Sequence, residues 1–175
     1  MKNLTVIMLC CWLALPLSAL STTLNGPLST LKKSGQGTMN FMFWSVYKAE
    51  LYGPDVLYLP NRYPKALNIT YYQNITSEAL IDATYEQWMH LKYDEKIITS
   101  WLKTLRLIWP DIKKDEQILL VVNGEGMSHF YHQGEPIGQI NDQRFGDAFL
   151  SIWLSESTSR PKLRKKLMGF IKSDE

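Results

Sequence analysis

Cysteine is nearly missing from this chain. Its two cysteines, Cys10 and Cys11, both fall in the opening apolar stretch MKNLTVIMLCCWLALPLSALST. Without that stretch, disulfides, thiolate nucleophiles and cysteine metal sites are excluded. The stretch has the layout of a secretory signal peptide: Lys2 in a short positive region, an apolar run from Leu4 to Leu15, then Pro16 and small residues. Residues 1–21 are therefore expected to be removed after Ser21, with Ala19 as the other candidate, leaving a domain over residues 22–175. The alternative is an uncleaved membrane anchor, although the run is shorter than the roughly 20 residues a spanning helix needs. Cys10 comes too early for a lipoprotein signal. Export without disulfides fits a bacterial periplasm, an oxidising compartment that permits disulfides without requiring them.

An excess of charge of one sign is also lacking. The whole chain carries 19 Lys and Arg against 17 Asp and Glu. Losing Lys2 leaves one surplus cation, so the footprint of a nucleic-acid binder is absent. The one local excess is Arg160, Lys162, Arg164, Lys165 and Lys166, which reads as the solvated face of a terminal helix. Membrane contact is expected only through an uncleaved signal segment or this basic C-terminal helix. Repeats, low-complexity tracts and internal linkers are absent, and 175 residues make one domain.

Hydrophobic periodicity gives the elements that are present. FMFWSVYKAELY, from Phe41 to Tyr52, alternates as a strand and stops at Gly53-Pro54. One of its faces reads Phe41, Phe43, Ser45, Tyr47, Ala49 and Leu51. Residues 22–33 read as a loose lead, and SGQGTMNF as a tight turn. Asp55 to Leu59 reads as a short strand. In ALNITYYQ, Leu67, Ile69 and Tyr71 alternate with polar residues, the pattern of a half-buried strand. The period then becomes helical over Ser77 to Lys92, with Leu80, Ala83, Thr84, Trp88 and Leu91 on one stripe and Thr76 or Ser77 as cap. A second helix, capped by Asp94 and stopped by Pro110, carries Ile97, Ile98, Trp101, Leu102, Leu105 and Ile108 on its stripe. ILLVVN, MSHFYH and PIGQI read as an antiparallel meander. A third helix places Phe145, Ala148, Phe149 and Ile152 on one face, and a last helix opens at Pro161 and ends by Gly169. Segregation of strands and helices argues for an α+β fold, one antiparallel sheet with helices on one face.

Catalytic devices are scarce. The glycines of SGQGTMNF lack the pattern of a phosphate loop. His129 and His132 lie three apart in a strand and so face opposite ways, which does not suit a shared metal. His90 stands alone on a helix. Neither HExxH nor GxSxG occurs. No metal and no cofactor is expected.

The order of several strings resembles the chalcone isomerase-like family. They are SVYKAELY, LNITYYQNITSEALIDATYEQ, DIKKDEQILL, GEPIGQINDQRFGDAFLSIWL and RPKLRKKLMG, which together span most of Gly35 to Gly169. The resemblance implies an open-faced β-sandwich, a large antiparallel sheet under a helical layer, with a ligand cleft between them. Catalytic members close a chalcone into a flavanone by intramolecular addition; others bind fatty acids without chemistry, and many bacterial members are exported. Catalysis in the family uses an arginine before or on the first long strand, a threonine on that strand, a tyrosine and an asparagine on the first helix, and a late hydroxyl. Here Met39 or its neighbours occupy the arginine region. The threonine position falls on Tyr47, the tyrosine on Leu80, the asparagine on Gln87, and the hydroxyl near Ile137 or Gly138. The pattern is broken nearly everywhere, and no residue is assigned a catalytic role.

The expected function is therefore non-catalytic binding of a small apolar, lipid- or fatty-acid-like ligand. Phe43, Tyr47, Leu80 and Trp88 are expected to line the cleft, with Gln87 as polar anchor. An isomerase using other residues, or an interaction protein with a filled cleft, are the alternatives. Cavity volume separates binding from a filled cleft.

Overall fold

The computed structural model describes residues 26–172. The expected signal peptide, with both cysteines, lies outside them. Six strands make one antiparallel sheet in chain order: β1 (Lys32–Phe41), β2 (Trp44–Gly53), β3 (Lys65–Tyr71), β4 (Gln117–Val122), β5 (Ser128–His132) and β6 (Glu135–Ile140). Helices α1 (Ser77–His90) and α2 (Glu95–Ile108) sit between β3 and β4. Helices α3 (Phe145–Leu154) and α4 (Pro161–Leu167) follow the sheet. The fold class is the α+β one expected, and the four helices cover one face.

The two faces follow from the two-residue period. Ala49, Leu51, Leu67, Ile69, Ile118, Leu120, Val122 and Phe130 are buried on the helix side. The other face is polar: Glu50 pairs with Lys33 and Lys48, and Asn68 donates to Gln117. Burial pushes the Glu50 carboxyl up, but bonds and charge from Lys33 and Lys48 outweigh it and hold the group below its usual range.

The helix caps act as the sequence indicates. Thr76 accepts the Ala79 N–H at 3.2 Å, and Asp94 accepts those of Lys96 and Ile97. Pro161 opens α4, and Gly169 follows it at φ 76°, which glycine enters without steric cost.

Three expectations need correction. The lead and turn before Phe41 are strand β1, beginning at Lys32. Its glycines are there because α4 lies against it. A Cβ at Gly35 would stand 2.1 Å from the Lys166 carbonyl oxygen, and one at Gly37 would stand 2.7 Å from Leu163 Cδ1. The single strand over Phe41–Tyr52 is a hairpin tip followed by β2, with the turn at Met42 and Phe43. Asp55 to Leu59 is irregular chain, because β3 has its full complement of neighbours in β2 and β4.

Candidate functional site

A cavity of about 280 Å³ separates the sheet from part of the helical layer. Met39, Val46 and Tyr47 line it from the β1–β2 hairpin, and Ile69, Tyr71 and Ile118 from the central strands. Ala79, Leu80, Ala83, Thr84 and Gln87 of α1 form the opposite wall. Phe149, Ile152 and Trp153 of α3 close one end, with Trp109, and Ser159 and Arg160 from the segment before α4 stand at the rim. Ala79, Ala83, Ser159 and Arg160 are exposed, so the cavity opens along α1 beside β1.

Local sequence accounts for the space. Helix α1 buries Ile81, Thr84 and Trp88 and packs chiefly on α2 and α3. Toward the sheet it turns Ala79, Leu80 and Ala83, two of which are too short to bridge the gap.

The polar groups at the wall are few, and they are mostly donors. Trp153 Nε1 donates to the Tyr47 hydroxyl at 2.8 Å, so that hydroxyl accepts and keeps its own proton for donation. Burial pushes the Tyr47 phenol up to about 12, against the bond from Trp153 and the nearby positive charge of Arg160. Tyr47 is therefore a neutral donor at ordinary pH. Ser159 donates to Gln87 Oε1 at 2.6 Å, which leaves the Gln87 amide nitrogen to donate elsewhere. Trp109 Nε1 is buried without a hydrogen-bond partner among the described residues. Arg160 has a free guanidinium: no carboxylate among the described residues pairs with it. The wall thus offers hydroxyl, indole, amide and guanidinium N–H or O–H groups around an apolar space.

Of the residues expected at the cleft, Tyr47, Leu80 and Gln87 line the cavity, and Phe43 and Trp88 do not. Phe43 occupies the hairpin turn and points into solvent, because the strand expected to carry it inward has already reversed. Trp88 follows Gln87 directly but points from the other side of α1, buried against Trp101 of α2 and Phe145 and Phe149 of α3, where its Nε1 donates to the Ala148 carbonyl at 2.8 Å. Met39, in the region where relatives carry arginine, does line the cavity. Ile137 and Gly138 lie on β6 and do not; the late hydroxyl that reaches the cavity is Ser159. The residue missed outright is Arg160. It was visible only as part of a basic cluster, and only folding sets it beside Tyr47. His129 and His132 lie three residues apart on β5, and His132 Nε2 lies 3.0 Å from a Glu116 oxygen.

A meander sheet under one helical layer, with a donor-rimmed apolar cavity between them, defines a protein built on the chalcone isomerase fold. The family model for chalcone isomerase-like proteins matches residues 19–169, and this chain belongs to that family. A Haemophilus influenzae protein, described only as uncharacterized, is 26% identical over 129 residues, 74% of this chain. The match spans 63% of that relative, so the chain covers less than two thirds of its length. Among solved structures, an Arabidopsis thaliana fatty-acid binding protein superposes with a TM-score of 0.62 at 12% identity, covering 81% of this chain and 88% of that one. At that identity the likeness speaks for the fold.

Proposed function

We propose that this protein is an exported binder of an amphipathic small molecule, one apolar chain ending in a carboxylate or a similar acceptor group. The carrying observation is the cavity. Side chains leave the space open, its wall is largely apolar, and its polar groups are mostly donors. An apolar tail suits the surfaces of Leu80, Ile69, Ile118 and Ile152. An anionic head suits the Arg160 guanidinium, with Tyr47 and Gln87 within the same wall. Arg160 comes from the segment before α4, so a cation is present although the first strands carry none at the cavity. The Arabidopsis protein of the same fold, named for fatty-acid binding, supports this ligand class by analogy. Residues 1–21 supply the export signal.

Two measurements test the reading. Small molecules extracted from natively purified protein are expected to be enriched in monoacyl acids over a control protein. A fluorescent fatty acid is expected to bind saturably and be displaced by palmitate far better than by methyl palmitate. Absence of both enrichment and saturable binding overturns the proposal.

A further inference from the structure

Four large apolar side chains stand in water at one point of the molecule. Phe41 is 59% exposed, Met42 76%, Phe43 95% and Trp44 74%. Together they are the entire tip of the β1–β2 hairpin. Phe41 and Trp44 form its last pair, and Met42 and Phe43 its turn. Turn geometry does not ask for them, since two-residue hairpin turns favour Asn-Gly or Asp-Gly. Met42 holds φ at 54°, in the left-handed region where glycine is at ease and other residues are uncommon. No residue from Ser34 to Tyr47 is charged. Scattered exposed hydrophobics are ordinary, but a contiguous cluster marks a contact surface.

The surroundings favour an anionic lipid surface as its occupant. Helix α4 lies along β1, the strand that leads to the tip. Residues 160–166 carry Arg160, Lys162, Arg164, Lys165 and Lys166 and no acid. Arg164 is turned to the Leu154 carbonyl, whereas Arg160, Lys162 and Lys165 are exposed. Cations beside an apolar projection are the combination that holds peripheral elements at an anionic bilayer. Trp is also enriched at that interface. The cavity is continuous with the tip, because Met39 and Val46 line it just inside Phe41 and Trp44.

We propose that the Phe41–Trp44 tip is a membrane-docking element. It enters the interfacial layer of an anionic bilayer while Lys162 and Lys165 meet the headgroups, which brings the cavity rim at Arg160 toward the lipid. The docking stands on the hairpin and α4; a role in exchanging ligand with the bilayer rests on the binding function proposed above.

The test uses the full chain and vesicles of phosphatidylethanolamine and phosphatidylglycerol, with phosphatidylcholine vesicles for comparison. The variant Met42→Ser/Phe43→Ser is expected to partition onto the anionic vesicles at least about tenfold more weakly than wild type. Wild type is expected to bind the phosphatidylcholine vesicles less and to lose binding as salt rises. Lipids brominated in the acyl chain are expected to quench the Trp44 signal, taken as the difference between wild type and Trp44→Phe. That local signal reports the tip whatever the N-terminal segment does. An unquenched Trp44 overturns the proposal, and so does unchanged partitioning of the double variant. A concentration-dependent dimer that the double variant dissolves would assign the tip to self-association and also overturn it. Binding of a fluorescent fatty acid in vesicle-free solution is expected to stay within about twofold in the double variant, as its residues line no part of the cavity. Loss of that binding in wild type would count against the cavity function and leave the vesicle result readable.

Discussion

The space between sheet and helices is filled in one half and open in the other. In the filled half, Trp88, Trp101, Trp109, Phe130, Phe145 and Phe149 meet edge to face, tilted or stacked, with centroids 5.2–6.2 Å apart. Each such pair adds about 0.5–1.5 kcal/mol beyond its buried area. In the open half, the same helices and strands present Ala79, Ala83, Leu80, Ile69 and Ile118 to a cavity. Phe149 and Trp109 belong to both halves. The contrast teaches that the open half is not a shortage of large side chains, because the chain supplies them a turn away. Unfilled apolar space weakens a core, so its persistence here beside a tightly packed neighbour fits a function for the space.

The sharpest way to break the contrast is to open the filled half. Trp88→Ala removes a fully buried ring and its bond to the Ala148 carbonyl, and should cost about 3–5 kcal/mol in urea unfolding. On the open side, Arg160→Gln should weaken an anionic fatty-acid analogue about 10–100-fold, the worth of a bond to a charged group. Its unfolding free energy should move by less than about 0.5 kcal/mol, as for an exposed site. Tyr47→Phe leaves Trp153 Nε1 without its acceptor and should cost about 1–3 kcal/mol. It should also change the alkaline profile. Burial raises the folded phenol to about 12 against an unfolded value near 10. That contribution to stability is complete below about pH 10 and is lost as pH rises toward 12. Unfolding between pH 9 and 12 should therefore show a shallower decline in Tyr47→Phe than in wild type. Least disturbing of all, Ala83→Leu fills part of the open half. Ligand affinity should fall while stability stays level or rises by up to about 1 kcal/mol.

Most of the fold was legible because most elements are written in the usual alphabet. The helices announce themselves by stripe and cap, β3 and β5 by alternation, and β4 by a short continuous run of branched apolar residues, ILLVV. The exception is β1. As an edge strand covered by α4, it needs glycine where other strands use valine or isoleucine, so KKSGQGTMNF carries almost no strand signal. That omission displaced the turn, and with it Phe43, from solvent to an imagined inner face. At the site, Tyr47 and Leu80 follow from strand and helix periods together with the family resemblance, whereas Gln87 lies off the apolar stripe and is reached through the resemblance alone. Trp88 lies beside Gln87 in the chain but faces the rings of α2 and α3, since the apolar stripe of α1 is wider than the part of it that borders the cavity. Arg160 obeys no period. Its place depends on how the α3–α4 connection returns to β1, a matter of tertiary packing alone.

The close seat of α4 on Gly35 and Gly37 has a consequence for the order in which the molecule is made. Strand β1 is among the first parts of the domain to be synthesised, and α4 among the last. Joining them is a contact of the longest sequence separation, the kind that forms slowly. The rim cation arrives with that final closure. A stalled or shortened chain would have the residues of its aromatic half in hand, but it would hold a bare glycine-rich edge and a cavity without its rim arginine. What closes last along the chain is thus the rim of the open half, not its walls.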